Sequence, residues 1–454
     1  MLKSASPELV WPAVVPPRLA AVFAAFVQLE SSQWLPAAQL RMLQARQLAA
    51  RLQHAARASA WFSPQLAGAD LRPAHAFDTL ARLPVLTRAS LQRPDAGLIC
   101  ATGEVHGPQI ALNTSGSSGE PVQIRCTQAA QVLRQAFMMR SFAWQQLDSQ
   151  KIYASIRSGL APAADGGPQH ARNWNAAMGG LFGSGPSWSF PISEPLARQL
   201  AVLASTPAHY LASYPSNLRG LLALSPANPR DVEVVISQGE ALDPALAAAL
   251  SRAWGVRVVD EYSSEELGPI ATQCEHGQFH CMAEGLVVEL LRADGSACAP
   301  GELGRVVVTD LRNFATALLR YDTADFAEAG AACACGRGLP TLGRIRGRER
   351  NLAQLPDGGR FWPNLAPLQE GPVRERVRQF QIRQVAPTAL VLRVHPARPL
   401  DEADRTVLAE AVRAAFGAVF NVSFEVFDGP LPKGPNGKFM EFQCLLPAGE
   451  SRRN

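Results

Sequence analysis

The chain has 454 residues, of which 47% are hydrophobic and 18% are charged, so it can bury more than one core and is neither disordered nor fibrous. Its 43 basic and 39 acidic residues leave a net charge of only +4, which does not indicate nucleic acid as a partner. No apolar stretch reaches the length of a membrane span, and no apolar signal core follows Met1. We therefore expect a cytoplasmic enzyme that does not enter the membrane.

The first segments predict helices that pack against a core. Residues 17–60 carry leucine and alanine at helical spacing.

The stretch from Thr114 to Gly119 reads Thr-Ser-Gly-Ser-Ser-Gly. Such a loop offers bare backbone N–H groups and hydroxyl donors that can surround an anion, so it is a candidate phosphate-binding loop. The same composition is typical of an ordinary flexible turn. Glu120 and Pro121 follow where a Walker loop has lysine and serine, which argues against a P-loop NTPase.

The middle of the chain alternates between helix and strand patterns. Residues 127–144 are expected to form a helix, residues 151–156 a strand, and residues 208–237 further helix and strand. Residues 161–195 are rich in glycine, proline and serine and predict loops. Together these patterns favour an α/β fold with a parallel, helix-covered sheet.

Three polar clusters follow predicted strands, where open α/β sheets bind their ligands. They are Gln238-Gly239-Glu240, the segment from Tyr262 to Glu266, and the segment from Arg320 to Asp325. Each also has a purely structural interpretation. Gly239 permits a tight turn, an isolated glutamate is usually solvated, and Asp325 can pair with Arg320.

The eight cysteines are too sparse for a disulfide framework in a protein without an export signal, so their spacing is examined for metal binding. Cys274, His280, Cys333 and Cys335 supply three thiolates and one imidazole, a set that Zn²⁺ favours in closed structural sites. Two alternatives remain: unliganded buried thiols, and Cys281 in place of His280.

The C-terminal part predicts a separate small α+β domain at residues 347–454, after a large domain at residues 1–346. Its strands are expected near residues 380–385 and 390–394, and its helix at residues 401–416. Lys438 follows a loop rich in glycine and proline.

Five of these motifs, in order along the chain, resemble the signatures of the adenylate-forming superfamily of acyl-CoA synthetases and adenylation domains. They are Thr114 to Gly119, Gln238 to Glu240, Tyr262 to Glu266, Arg320 to Asp325, and Leu431 to Lys438. Residues 77–87 are similar to the segment that precedes the phosphate loop in the phenylacetate-CoA ligase branch, where a short helix leads into a Leu-Pro turn, here Leu83 and Pro84. The resemblance implies a large domain of helix-covered mixed sheets with a β subdomain, followed by a small mobile lid.

The resemblance also implies which residues bind ATP or AMP. The phosphate loop supplies Thr114, Ser115, Gly116, Ser117, Ser118 and Gly119. Adenine is contacted by Gln238, Gly239, Glu240 and Tyr262. The ribose hydroxyls are bound by Asp325, and Arg348 in the motif between the two domains contacts the nucleotide. Lys438 is the last of the residues that the resemblance implies bind the nucleotide.

The catalytic roles implied are those of Lys438, Glu266 and Thr114. Lys438 and the loop neutralise charge as pyrophosphate leaves, and Glu266 binds Mg²⁺. Glu265 is an alternative magnesium ligand. Several positions depart from the family pattern: Ser263 and Ala324 replace glycine, and Arg350 and Asn351 replace the two hinge carboxylates.

The implied reaction converts an aryl or small carboxylic acid and ATP into an acyl-adenylate and transfers the acyl group to coenzyme A. A carrier-protein pantetheine or an amine is an alternative acceptor, and a non-catalytic nucleotide-binding relative is a further alternative. A pocket for the acyl group could be lined by side chains near Asn173, Trp188, Tyr210 and Tyr214. The same side chains could equally belong to the hydrophobic core. Some relatives in this branch carry similar Cys/His elements, which adds to the zinc prediction. Homodimerisation is left open.

Overall fold

A computed structural model describes residues 2–93, 96–114, 122–348, 351–363, 365–369, 371–432 and 439–446. The chain divides into two compact units, Met1–Ile345 and Arg346–Asn454. None of the helices within these described ranges combines the length and the apolar character needed to cross a bilayer.

The helices of the first unit surround its sheets. Short 3-10 helices lie at Pro17–Leu19, Pro73–His75 and Glu104–His106. The α-helices are α1 (Ala20–Ser32), α2 (Ala37–Ala58), α3 (Ala76–Arg82), α4 (Arg88–Gln92), α5 (Gln128–Trp144), α6 (Ala176–Phe182), α7 (Leu196–Ser205), α8 (Pro215–Leu224) and α9 (Pro244–Trp254).

The strands up to the unit boundary are β1 (Gln109–Thr114), β2 (Val122–Thr127), β3 (Tyr153–Arg157), β4 (Gln169–Ala171), β5 (Ser187–Pro191), β6 (Tyr210–Ser213), β7 (Val234–Gln238), β8 (Arg257–Ser264), β9 (Gly268–Gln273), β10 (Phe279–Cys281), β11 (Leu286–Leu291), β12 (Leu303–Asp310), β13 (Tyr321–Ala329) and β14 (Thr341–Arg348). Strands β1 and β2 form an antiparallel hairpin in which Thr114 pairs with Val122, so the predicted phosphate loop connects their ends.

Among the described residues, twelve strands form one sheet in the order β11-β12-β13-β14-β10-β9-β8-β7-β6-β3-β5-β4. Strands β5, β3, β6, β7 and β8 run parallel, which places their carboxyl ends along one edge. The antiparallel strands from β9 onward extend this sheet. The predicted α/β class with mixed, helix-covered sheets is confirmed.

Capping residues determine where the helix between β7 and β8 begins and ends. Helix α9 begins at Asp243, whose side chain accepts a hydrogen bond from the Ala245 N–H, and Pro244 occupies its first turn. Gly255 ends the helix with a left-handed φ of +67°. Its buried side chains Leu246 and Leu250 pack on one face of the sheet in a core shared with α7 and α8. This crossover holds β7 and β8 parallel and adjacent.

The second unit has its own core and sheet. Its helices are α10 (Ala366–Gln369), α11 (Gly371–Arg376) and α12 (Glu402–Phe416), and its strands are β15 (Ala353–Gln354), β16 (Arg360–Phe361), β17 (Val377–Ala386), β18 (Ala389–Pro396), β19 (Asn421–Val426) and β20 (Phe442–Cys444). The larger sheet has the order β19-β18-β17-β20. Asp401 and Asp404 form a capping box that begins α12.

One predicted region differs from the structure. Residues 161–195 were expected to be loops, but they contain α6 and β5. Strand β5 lies between β3 and β4, and Trp188 and Phe190 on it are almost fully buried. The flanking glycine and proline residues hide a strand of only five residues from pattern analysis.

Candidate functional site

The site is built at the carboxyl ends of β7 and β8. Gln238 pairs with Glu261 in the parallel register of these strands, so the turn at Gly239 lies beside the segment that contains Tyr262. Gly239 has a φ of +73°, a left-handed conformation that glycine adopts without strain. Strand β8 continues to Ser264, so Tyr262 lies within the strand rather than at the predicted junction with a loop.

Glu240 has a structural partner in the first turn of α8. Its carboxylate accepts hydrogen bonds from the Ser216 N–H at 2.9 Å and from the Ser216 hydroxyl at 3.1 Å. A carboxylate at a helix N-terminus compensates unpaired N–H groups and the positive end of the helix dipole. Glu240 therefore fixes the turn against α8.

Tyr262 and Asp325 come from motifs far apart in sequence and meet in space. The Tyr262 hydroxyl donates to Asp325 Oδ2 at 2.9 Å and lies 3.2 Å from Thr323 Oγ1. Ala324 has a φ of +60°, which explains why the resembled family uses glycine there. Arg320, which was considered as a purely structural partner of Asp325, forms an ion pair with Glu289.

The two candidate magnesium ligands differ in environment. Glu266 Oε1 lies 2.9 Å from Arg88 Nη1, and its side chain is only 9% exposed. The Glu265 side chain is 73% exposed and lies 3.9 Å from Arg134. Glu266 is thus held inside the site, whereas Glu265 points towards solvent.

Cys274, His280, Cys333 and Cys335 converge from two separate segments. Their ligand atoms all lie within 4.8 Å of one another. The sulfur atoms of Cys274 and Cys333 are 3.7 Å apart, and Cys335 Sγ lies 3.3 Å from His280 Nε2. Zn–S bonds of about 2.3 Å in a tetrahedron place two sulfur atoms about 3.8 Å apart, so the donor set has the dimensions of a zinc site.

The protonation of His280 also suits a metal ligand. Burial lowers the pKa of His280 to about 4, so the imidazole is neutral near pH 7, the form that binds metal. Cys281 is the alternative ligand considered from sequence. It does not belong to the cluster, and burial raises the pKa of its thiol to about 12.

No protein-family model matches the sequence, and no curated protein matches it. The fold does match solved structures. 2-Hydroxyisobutyryl-CoA ligase in the postadenylation state with 2-HIB-AMP superposes with a TM-score of 0.69 at 17% identity, over 91% of each chain. The chain has the fold of an adenylate-forming CoA ligase. Anthranilate CoA ligase in complex with anthranoyl-AMP gives a TM-score of 0.53 at 16% identity, over 72% of this chain and 64% of that chain.

Several residues that were predicted to bind the nucleotide or to form the hinge lie outside the described residues. They are Ser115, Gly116, Ser117, Ser118, Gly119 and Lys438, together with Arg350 in the hinge. Of Thr114 only the backbone, at the end of β1, is described. Arg348 ends β14 and is partly buried.

The aromatic residues considered for an acyl pocket divide between the two faces of the sheet. Trp188 donates its indole N–H to the Pro207 carbonyl at 2.9 Å and, like Tyr214, packs in the helix-covered core. Trp188 and Tyr214 therefore belong to the hydrophobic core of this unit. Tyr210 packs on the opposite face near Trp174, with ring centroids 5.5 Å apart.

Sequence analysis did not single out two charged residues of the site. Arg88 begins α4 and directly follows residues 77–87, the segment that resembles the phenylacetate-CoA ligase branch. Its position next to that segment was the available signal. Glu261 directly precedes Tyr262 and lies beside Gln238. A glutamate within a strand pattern was the signal there, because few carboxylates lie in central strands.

Proposed function

We propose that this protein activates a carboxylic acid with ATP and transfers the acyl group to the thiol of coenzyme A. The observation that carries the proposal is the contact of Tyr262 on β8 with Asp325 on β13, because two distant motifs supply a ring and a carboxylate at one place. The fold shared with 2-hydroxyisobutyryl-CoA ligase, which was crystallised with 2-HIB-AMP, supports it. The segment around Leu83 supports the phenylacetate-CoA ligase branch.

In this proposal the chain binds and orients ATP for attack by the acid. Asp325 accepts hydrogen bonds from the ribose hydroxyls, since a carboxylate offers two acceptor oxygens. Tyr262 presents its ring to adenine. The loop from Thr114 to Gly119 donates N–H and hydroxyl groups to the phosphates, and Lys438 neutralises charge as pyrophosphate departs.

Glu266 is the proposed carboxylate for a magnesium ion, which would neutralise phosphate charge when bound. Arg88 holds this carboxylate at 2.9 Å in the described structure. The pair suits a proposed ATP site, because the Arg88 guanidinium can bind phosphate oxygens and the Glu266 carboxylate can bind a metal ion. No protein nucleophile is required.

A panel of short acyl and aryl acids, supplied with ATP and coenzyme A, tests the proposal. We expect AMP and pyrophosphate in equal amounts and an acyl-CoA thioester identified by mass spectrometry. Release of AMP with an acyl-adenylate but no thioester would instead favour a carrier-protein pantetheine or an amine as the acceptor. Absence of AMP formation with every acid would contradict the proposal.

We also propose that the second unit is the mobile lid of the enzyme, with its boundary near residue 346. The compact unit Arg346–Asn454 begins within the segment that resembles the hinge motif. Lys438 belongs to this unit and supplies its catalytic contribution.

We propose further that Cys274, His280, Cys333 and Cys335 bind a structural zinc ion. The donor distances support this, and four protein ligands leave no open position for catalysis. Bound zinc would join the β9–β10 turn to the segment between β13 and β14.

Metal analysis tests the zinc site. Protein purified without chelator should contain about one zinc per chain, because closed sites of this type bind tightly. Cys333→Ser should lose most of the metal, whereas the matched control Cys298→Ser, which lies outside the cluster, should retain it. A zinc-free wild-type protein whose Cys274, Cys333 and Cys335 thiols titrate freely would contradict the site.

A further inference from the structure

We propose that the acid activated by this protein carries a protonated amine, and that Glu261 binds this amine. The inference rests on the proposed function, since it names the class of acid that the same site activates. It makes Glu261 a residue that determines substrate specificity.

The sheet register determines which face carries Glu261. Side chains alternate along a strand, and Val259, two residues earlier, packs with Ala212 and Ile236. This face is opposite to the core shared by α7, α8 and α9, where Val258 packs. Glu261 therefore lies on the face away from those helices.

The neighbouring side chains on this face are aromatic at one end and small or polar at the other. Tyr153 and Trp174 lie with ring centroids 5.4 Å apart near the start of β3. Further along, Ser155 and Ser189 form a hydroxyl contact at 2.9 Å, and Ala212 follows on β6. Small side chains at the carboxyl ends of parallel strands leave room for a ligand.

Glu261 and Tyr153 both belong to the interior of the first unit yet remain partly exposed to solvent. Burial raises the pKa of the Tyr153 phenol, and the negative charge of Glu261 raises it further, so the two groups are close enough to interact. Trp174 and Ser189 on this face are also partly exposed. Solvent therefore reaches this face of the sheet next to Glu261.

The charge of Glu261 lacks a cation among the described residues. Its carboxylate accepts a hydrogen bond from Gln145 Nε2 at 2.9 Å, and no ion pair to it is formed by a described lysine or arginine. Four other carboxylates of the unit pair with arginine, whereas the buried Asp260 accepts a hydrogen bond from the Ser237 hydroxyl at 2.7 Å. The four pairs are Glu266 with Arg88, Glu284 with Arg140, Asp310 with Arg312, and Glu289 with Arg320.

A carboxylate that is largely removed from water and lacks a cation is costly, and this desolvation raises the pKa of Glu261. An ammonium group on the substrate would supply the missing charge and three hydrogen-bond donors. Glu261 directly precedes Tyr262, so an acid with its amine at Glu261 lies next to the proposed adenine site. The carboxylate and the ammonium of one small molecule can thus be bound together.

Matched acids test the inference by ATP–pyrophosphate exchange. The panel contains benzoate, 3-(hydroxymethyl)benzoate and 3-(aminomethyl)benzoate, and also propionate, 3-hydroxypropionate and β-alanine, so that each amine is protonated near pH 7. In the wild-type protein we expect kcat/KM for the best aminated acid to exceed that of its unaminated partner at least tenfold. Glu261→Gln, which keeps the shape and removes the charge, should abolish this preference mainly through KM.

The control is Glu410→Gln, an exposed glutamate on α12, which should keep the wild-type preference. The wild-type comparison tests the inference even if the Glu261 variant does not fold. Equal use of aminated and unaminated acids, a preference for the hydroxy acids, or an unchanged preference in a folded Glu261→Gln protein would overturn the inference and leave the proposed function standing. Absence of exchange with every acid would overturn both.

Discussion

The contact between Tyr262 and Asp325 is the residue-scale feature on which the proposed nucleotide site depends. The sequence predicted both residues from motif resemblance, but not that the phenol would donate to the carboxylate at 2.9 Å. That contact follows from the placement of β8 and β13 in one sheet, which no local pattern encodes. It orients the carboxylate before ATP binds.

Substitutions of these two residues should weaken ATP binding to different extents. Asp325→Ala should raise KM for ATP about 10- to 100-fold, because hydrogen bonds to a charged group contribute about 1.5–3 kcal/mol. Tyr262→Phe keeps the ring and removes one donor, so a rise of about three- to tenfold is expected. Steady-state kinetics at saturating acid measures both values.

The matched control is Tyr214→Phe, which removes another buried phenol, hydrogen-bonded to the Ser158 hydroxyl at 2.9 Å in the helix-covered core. Its KM for ATP should stay within twofold of the wild-type value, about 0.4 kcal/mol. An Asp325→Ala protein with unchanged KM for ATP would show that Asp325 does not bind the ribose.

At the scale of elements, a buried ion pair fixes the helices beneath the site. Arg140 on α5 is fully buried and forms two contacts with Glu284, at 2.6 and 3.1 Å. The same carboxylate accepts a hydrogen bond from Ser32 on α1 at 2.7 Å. The pair thus joins α1, α5 and the segment before β11.

Glu284→Gln should destabilise the first unit by about 3 kcal/mol, because removal of one partner leaves a buried charge uncompensated. Urea unfolding measures the change. The control Glu233→Gln breaks the exposed pair with Lys151 and should cost less than about 1 kcal/mol. Equal effects of the two variants would contradict a buried structural role for the Arg140 pair.

The helices and strands also show which elements could be predicted from sequence patterns. Long periodic segments such as α5 and α12 were predicted because their apolar spacing is sustained over several turns. Strand β5 was missed because it is short and enclosed by glycine and proline. The convergence of Cys274 with Cys333 was predicted from ligand chemistry. The placement of Glu261 on the same face as Tyr153 was not predicted, because it depends on the order of five parallel strands.

At the scale of the whole molecule, the chain has two compact units, and the proposed chemistry needs residues from both. The residues proposed to contact ribose and adenine belong to the first unit, and Lys438 belongs to the second. The two half-reactions should therefore respond differently to changes in the second unit.

Lys438→Ala should reduce adenylation at least 100-fold, because the lysine is proposed to neutralise charge as pyrophosphate leaves, and electrostatic groups of this kind contribute about 2.7–4 kcal/mol. Thioester formation from a supplied acyl-adenylate should stay within a few-fold of the wild-type rate. Rapid-quench measurement of pyrophosphate and of thioester separates the two steps. Normal pyrophosphate release in the variant would show that the role of Lys438 is assigned wrongly.

The most direct test of the central claim follows oxygen from the acid into the nucleotide. The protein is incubated with ATP, coenzyme A and a carboxylic acid whose carboxylate oxygens are ¹⁸O, and the products are analysed by mass spectrometry. If the carboxylate attacks the α-phosphate, breakdown of the acyl-adenylate leaves one ¹⁸O in the phosphate of AMP. Label found in inorganic phosphate together with ADP, or AMP formed without label, would contradict the account.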